Sequence, residues 1–134
     1  MKKERRPEEF LSDIVETTQK AFSFTDGMSF EEFRNDEKTV FAVIRALEIV
    51  GEATKNVPQE IRQMAPDVPW RAVAGMRDKL IHDYVEVELR IVWTTVRDDL
   101  PDFVERVRAV LEQLQASKSM SSTAGKTAPV EVPH

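Results

Sequence analysis

The chain has 134 residues, of which 41% are hydrophobic and 32% are charged, and its formal net charge is -5. This length provides for one hydrophobic core and is too short for two full domains. The absence of cysteine excludes disulfides and thiolate metal sites, and the acidic balance argues against a protein that coats nucleic acid through broad phosphate neutralisation.

The chain also lacks membrane and metal-binding patterns. No apolar stretch approaches the roughly 20 residues of a membrane span, and the charged first residues are not followed by a signal-type apolar run. We therefore expect a soluble, cytoplasmic protein with no membrane partner. The two histidines, His82 and His134, cannot form a His-rich zinc cluster within one chain, so we expect no metal and no cofactor.

Apolar residues recur at three- and four-residue steps after Pro7 and predict a first core helix. Residues 25–27 have the composition of a turn. Ser29 and Glu32 then have the spacing of a capping box, in which each side chain binds the other residue's backbone amide. This pair predicts a short helical turn.

A second core helix begins after Asn35 or Asp36, either of which can cap it, and its apolar stripe persists to about Val57. Gly51 interrupts the stripe. Because a glycine inside a helix costs about 1 kcal/mol relative to alanine, we interpret it as a point of close approach by another helix, with tolerated sequence as the alternative. The polar residues of this helix are spaced to form surface ion pairs with one another: Arg45, Glu48, Glu52 and Lys55.

Prolines punctuate residues 58–69 and leave room only for a short helix around residues 59–64, before a third core helix opens near Trp70. A long helix follows, with an apolar seam from Leu89 to Leu114. Pro101 lies inside that seam and predicts a kink, or a break at which Asp99 caps a new segment, and the continuity of the seam favours the kink.

Together these elements predict an all-α fold, an antiparallel bundle of about four core helices with a short extra helix. From about residue 116 the composition turns to small and polar residues that bury little surface. We therefore predict one helical domain over residues 1–115 and a disordered tail over residues 116–134.

The end of the third core helix holds the residues most suited to chemistry: Arg77, Asp78, His82 and Tyr84. Arginine stays charged and can hold a phosphate through a rigid fork of donors, while histidine exchanges protons near neutral pH. Arg77 and His82 are separated by about 140 degrees around a helix, so they converge on one phosphate only if the helix unwinds near Ile81 or if a second subunit completes the site. Taken alone, the spacing favours the simpler interpretation, in which these residues cap the helix end, compensate its dipole and lie at the surface.

The spacing Arg-x4-His-x-Tyr resembles the signature of HepT-like toxins, which are ribonucleases of the HEPN superfamily. The resemblance extends over most of residues 8–115 and rests on segments 45–53, 68–71, 77–84 and 91–93 leading to 99–101. It implies a HEPN-like helical fold that forms a homodimer. It further implies that the dimer sets two Arg/His pairs in a cleft that cleaves RNA, either tRNA or mRNA, without metal.

Carried over to this chain, the resemblance makes Arg77 the binder of the phosphate and of the transition state. It makes His82 the general acid and base in attack of a ribose 2′-hydroxyl on the adjacent phosphodiester. Asp78 could orient Arg77 or His82, or pair with Lys79. Tyr84 matches the tyrosine to which a cognate nucleotidyltransferase antitoxin adds adenylate, in what is called a type VII toxin-antitoxin pair.

Two other hypotheses remain open on the sequence. A HEPN-like bundle could bind a nucleotide or a partner without catalysis, and a purely structural bundle could use the long apolar seam to dimerise. An enzyme should lose cleavage when Arg77 or His82 is replaced, while remaining folded. The binder should lose affinity without showing turnover in any variant.

Overall fold

The computed structural model describes residues 5–82 and 88–127, and it describes side chains for residues 5–80 and 88–118. Its helices are α1 (Pro7–Thr25), α2 (Phe30–Arg34), α3 (Glu37–Lys55), α4 (Gln59–Arg62), α5 (Trp70–His82), α6 (Leu89–Thr94) and α7 (Leu100–Thr127). Within these ranges there is no strand. The predicted all-α fold is therefore confirmed, with α1, α3, α5 and α7 as its long helices.

Local sequence sets the ends of the first helices. The Ser29 hydroxyl accepts from the Glu32 amide at 3.1 Å and the Glu32 carboxylate accepts from the Ser29 amide at 2.9 Å, so the predicted capping box is present. Asp36, rather than Asn35, caps α3, because its carboxylate accepts from the backbone amide of Thr39 at 3.1 Å. These short-range bonds satisfy amides that have no partner within the helix.

Helix α3 lies between α1 and α5, and α1 also packs on α7. Fully buried residues from these helices fill the space between them, including Leu11, Leu47 and Val107. Burial of each such aliphatic side chain contributes about 1.5–3 kcal/mol. The buried Phe33 ring of α2 packs on Trp93 of α6 with ring centroids 5.3 Å apart, which attaches the short helix to the same core.

The connector between α3 and α5 is held by side chains that bind backbone carbonyls. Arg62 donates to the carbonyls of Thr54 at 2.9 Å and Val57 at 3.1 Å, so it satisfies groups at the C-terminal end of α3. The indole nitrogen of Trp70 donates to the Ala65 carbonyl at 3.0 Å. These bonds fix where α5 begins.

Helix α6 continues into α7 through a π-helical turn, Thr95–Asp99, in which the Leu100 amide donates to the Thr95 carbonyl. Pro101 follows as the second residue of α7, where its missing amide hydrogen removes no α-helical bond. The alternative of a break capped by Asp99 is wrong, because Asp99 lies inside the π-helical turn. The helix therefore remains continuous here, because a bond between residues five positions apart replaces the usual bond between residues four positions apart.

Helix α7 continues to Thr127, so residues 116–127 are helical where the composition predicted an irregular tail. The rest of that tail, residues 128–134, lies outside the described residues, and the domain boundary at residue 115 stays a prediction. No helix in the described part of the chain is long and apolar enough to cross a membrane.

Helices α3 and α5 pack closely together at Gly51. A Cβ atom placed on Gly51 would lie 2.9 Å from the backbone nitrogen of Arg77, 3.0 Å from the Arg77 Cβ and 3.2 Å from the Val73 carbonyl oxygen. Such distances are shorter than van der Waals contact. The interpretation of Gly51 as a point of close helix packing is confirmed.

Replacing Gly51 with alanine should destabilise the protein by about 1–3 kcal/mol, because the added methyl group meets the backbone of α5 rather than a side chain that can move. Urea unfolding followed by circular dichroism would measure the change. Gly75→Ala is the matched control, since a Cβ there meets no atom within 4 Å and should stabilise α5 by about 0.5–1 kcal/mol. If Gly51→Ala were as stable as the unmodified protein, α3 and α5 would be able to move apart without a loss in the free energy of unfolding.

Candidate active site

Arg77 is fixed at the contact between α5 and α3. Its backbone rests against Gly51, and its side chain extends along α3 to Glu52, whose carboxylate Oε1 lies 3.2 Å from the guanidinium Nε. On the other side, the carboxylate of Asp78 lies 3.4 Å from Nη1. The guanidinium is thus in contact with two carboxylates. The Arg77 side chain is nevertheless 37% exposed, so it still reaches solvent.

Asn56, at the C-terminal end of α3, orients the carboxylate of Glu52. Its side-chain amide nitrogen donates to the Glu52 backbone carbonyl at 2.9 Å and lies 3.4 Å from Glu52 Oε2. One oxygen of Glu52 therefore binds Arg77 and the other binds Asn56. The carboxylate is held from both sides.

A cleft of about 330 Å³ lies beside Arg77 and extends along α3 toward α1. Two further arginines line it, and each binds a neighbouring carboxylate: Arg45 pairs with Glu48 at 3.3 Å, and Arg5 pairs with Asp13 at 2.8 Å. The hydrogen bonds that the Arg5 guanidinium donates to Asp13 and Glu9 raise its pKa above the ordinary value. The cleft thus carries three cations, each balanced by an acidic side chain.

The predicted ion pairs on α3 are confirmed only in part. Arg45 pairs with Glu48 on the same helix, but Glu52 pairs with Arg77 on α5. Asp78, which was expected to orient Arg77 or His82 or to pair with Lys79, contacts the Arg77 guanidinium. Sequence analysis did not assign Glu52 to the site, although its position directly after the closely packed Gly51 was an available clue.

His82 is the last residue of α5, and the helix is continuous through Ile81 to His82. No unwinding is therefore seen up to that point. On such a helix the Cα atoms of Arg77 and His82 are separated by about 140 degrees of rotation and about 7.5 Å along the axis. The side chain of His82, and Tyr84 as a whole, lie outside the described residues, so the site described here consists of Arg77, Asp78 and Glu52.

Among the side chains that are described, no group of three or more His, Cys, Asp or Glu residues is arranged to hold a metal ion. The carboxylates of Glu52 and Asp78 both contact the Arg77 guanidinium. In this part of the site the N–H groups of the Arg77 guanidinium are the charged donors suited to an anionic ligand.

A family model described as ribonuclease HepT-like matches residues 14–110, a segment that contains α3, α5 and the whole Arg-x4-His-x-Tyr spacing. The chain belongs to the HepT-like family. Its HepT-like relatives include a probable ribonuclease HepT of Thermococcus cleftensis, 50% identical over 97 residues, which are 72% of this chain and 88% of that protein. The family predicted from the sequence is therefore confirmed.

Two other relatives cover most of the HepT-like chain. One, named as a putative RNase, comes from Methanocaldococcus jannaschii and is 38% identical over 112 residues, which are 84% of this chain and 93% of that protein. Another with the same type of name, from Caldanaerobacter subterraneus, is 39% identical over 109 residues, or 81% and 97% of the two chains. No solved structure gives a significant match to the chain.

Proposed function

We propose that this protein is an RNA endonuclease that cleaves its substrate with Arg77 and His82 and without a metal ion. The observation that carries the proposal is the placement of Arg77. Its guanidinium is held by two carboxylates and is partly exposed beside a cleft, in a chain whose relatives are named as ribonucleases. A fixed guanidinium with access to solvent can bind a phosphodiester through charge-assisted hydrogen bonds.

In the proposed reaction, the 2′-hydroxyl oxygen of a ribose forms a bond to the adjacent phosphorus, and the bond from phosphorus to the 5′-oxygen breaks. The imidazole of His82 accepts the proton of the 2′-hydroxyl, and an imidazolium gives a proton to the leaving 5′-oxygen. Arg77 stabilises the negative charge that develops on the phosphate oxygens. These groups supply both proton transfer and charge stabilisation, so the step requires no metal.

A homodimer would complete this site. Because α5 is continuous to His82, the Cα atoms of Arg77 and His82 on one chain lie on different sides of the helix. The continuous helix favours the second of the two arrangements considered from the sequence, in which Arg77 of one protomer acts with His82 of its partner. In a symmetric dimer this pairing occurs twice.

The RNA strand would follow the cleft from Arg77 toward Arg45. The Arg45 side chain is 70% exposed while its partner Glu48 is 17% exposed, so the guanidinium stands at the surface and can bind a second phosphate. Single-stranded RNA is the form suited to such a local site, because its backbone bends and its phosphates can be bound individually. We propose tRNA or mRNA as the substrate.

The same protein would be the toxin of a type VII toxin-antitoxin pair, neutralised by a nucleotidyltransferase. In that reaction the Tyr84 oxygen attacks the α-phosphorus of ATP, pyrophosphate leaves, and adenylate remains on the tyrosine. Tyr84 follows His82 by two positions, so a phosphate placed there would compete with substrate for the cation of Arg77 and repel its negative charge.

The direct test is to incubate the purified protein with total tRNA and mRNA in the presence of EDTA, beside a His82→Ala variant whose folding is checked by circular dichroism. We expect the unmodified protein to cleave RNA and the variant to lose at least about 100-fold in rate, because a general acid-base residue contributes about 10²–10⁴-fold. Before the assay, the mass of the purified protein is measured to check that Tyr84 carries no adenylate.

Each other outcome has a definite meaning. Equal cleavage by both proteins would remove His82 from the mechanism. Cleavage that disappears in EDTA and returns with added magnesium would remove metal independence. Absence of cleavage, together with RNA binding that weakens in an Arg77→Ala variant, would favour the alternative of a non-catalytic bundle that binds a nucleotide or a partner.

A further inference from the structure

Arg77 has five N–H donors, and the two carboxylates engage only some of them. Glu52 contacts Nε at 3.2 Å and Asp78 contacts Nη1 at 3.4 Å. A guanidinium carries one hydrogen on Nε and two on each terminal nitrogen. Neither contact involves Nη2, which carries one hydrogen directed toward the outer edge and one directed toward the Nε side.

Nη2 is therefore the guanidinium nitrogen that these two contacts leave for a ligand. Its hydrogens can form charge-assisted hydrogen bonds with a phosphate. Since the backbone of Arg77 is fixed against Gly51, the contact at Nε determines how the remaining side chain can rotate. A free arginine side chain would have to lose that rotational freedom when substrate binds.

We propose that Glu52 is a positioning residue of the site, whose ion pair with Nε of Arg77 holds the guanidinium so that Nη2 meets the substrate phosphate. This inference rests on the proposed ribonuclease function and adds a residue to it. Glu52 touches neither RNA nor the reacting atoms. Asn56 supports the arrangement by binding the second oxygen of the Glu52 carboxylate.

The carboxylate of Glu52 has two opposed effects on an RNA phosphate. It orients Arg77, which favours the transition state, and its negative charge repels the phosphate, which weakens binding. Orientation and charge can be separated, because glutamine keeps the length of the side chain and an oxygen that can lie against Nε but lacks the charge. A residue that serves only as a surface ion pair or only as packing would not show this separation.

The experiment compares Glu52→Ala and Glu52→Gln with the unmodified full-length protein, measuring kcat, KM and the dissociation constant of an RNA analogue that lacks the attacking 2′-hydroxyl. We expect Glu52→Ala to lower kcat by about tenfold, since small displacements of a catalytic group cost up to about 100-fold. The same variant should bind the uncleavable analogue more tightly. Glu52→Gln should recover most of kcat and keep the tighter binding. Glu112→Gln, at an exposed position of α7, is the matched control and should change neither quantity.

Two outcomes would overturn the inference while leaving the ribonuclease proposal intact. An unchanged kcat in Glu52→Ala would reduce the Glu52 contact to a surface ion pair. A fall in kcat that Glu52→Gln does not recover, accompanied by a lowered Tm in both variants, would make Glu52 a structural residue only.

A readout that needs no cleavage keeps the inference testable if the protein proves not to be a ribonuclease. In nitrogen-15 NMR, the Nε–H signal of Arg77 should exchange slowly with water in the unmodified protein, because the Glu52 carboxylate lies 3.2 Å from Nε and covers it. It should exchange at least about tenfold faster in Glu52→Ala and stay protected in Glu52→Gln. Equal exchange in all three proteins would overturn the positioning role. Missing cleavage in the unmodified protein would separately overturn the proposed function.

Discussion

Mixing the Arg77→Ala and His82→Ala proteins is expected to restore RNA cleavage that neither protein has alone. In a dimer containing one chain of each kind, one of the two sites combines an intact Arg77 with an intact His82 from the other chain. Random assembly of equal amounts makes half of the dimers mixed, so activity should reach about a quarter of that of the unmodified protein. The chains are co-expressed, or unfolded and refolded together, and initial cleavage rates are measured.

A second mixture provides the control, in which the unmodified chain is combined with a chain carrying both substitutions. If the sites are shared between protomers, a mixed dimer contains no intact site and activity is about a quarter of the unmodified level. If each chain forms its own site, mixed dimers keep one site each and activity is about half. Failure of the single variants to complement one another, with about half activity in the control, would place Arg77 and His82 of one chain in the same site.

Replacing Tyr84 with phenylalanine should leave cleavage in place and abolish its control by a nucleotidyltransferase. Phenylalanine has no hydroxyl oxygen to accept adenylate, whereas its ring keeps the apolar body of tyrosine. After incubation with a cognate nucleotidyltransferase and ATP, the unmodified protein should fall to the activity of His82→Ala and gain the mass of one adenylate. The Tyr84→Phe protein should gain no mass and keep its activity.

Controls without ATP, and with the nucleotidyltransferase inactivated by heat, separate covalent modification from inhibition by binding. Equal silencing of the tyrosine and phenylalanine proteins would show that control acts elsewhere. Peptide mapping would then identify the modified residue. Loss of cleavage by Tyr84→Phe before any treatment would instead assign the hydroxyl a part in the reaction.

Helix ends could be predicted from the sequence because their causes are local. The capping box of Ser29 and Glu32 depends on two residues three positions apart, and Asp36 caps α3 through an amide three positions away. In such cases the backbone geometry of one helical turn determines which groups can meet. The family was predictable for a different reason, since the resemblance rested on four separated segments of the chain, all of which lie within the matched residues 14–110.

The partner of Glu52 could not be predicted from spacing. Distances along one helix identify neighbours at three and four residues, as for Arg45 and Glu48, but a contact between helices depends on how far each is rotated and shifted against the other. Gly51 indicated that some helix comes close. Only the packed structure shows that the helix is α5 and that the nearest residue is Arg77.

The π-helical turn shows a similar limit. Pro101 indicated that regular α-helical bonding must change near it, but several backbone arrangements satisfy that requirement, including a kink and a break. The structure has a π-helical turn here, with the Leu100 amide bonded to the Thr95 carbonyl. His82 and Tyr84 remain candidates from the sequence, because the His82 side chain and Tyr84 lie outside the described residues.

The contact of Gly51 with the backbone of Arg77 bears on how enzymes of this kind are identified in genomes. A chain could retain the full Arg-x4-His-x-Tyr string and still have a displaced arginine if a larger residue replaced this glycine. A search that reads the string alone would count such a chain as active. A search that also required glycine and glutamate at positions 51 and 52 would separate chains that can hold the arginine in place from chains that have the arginine without these neighbours.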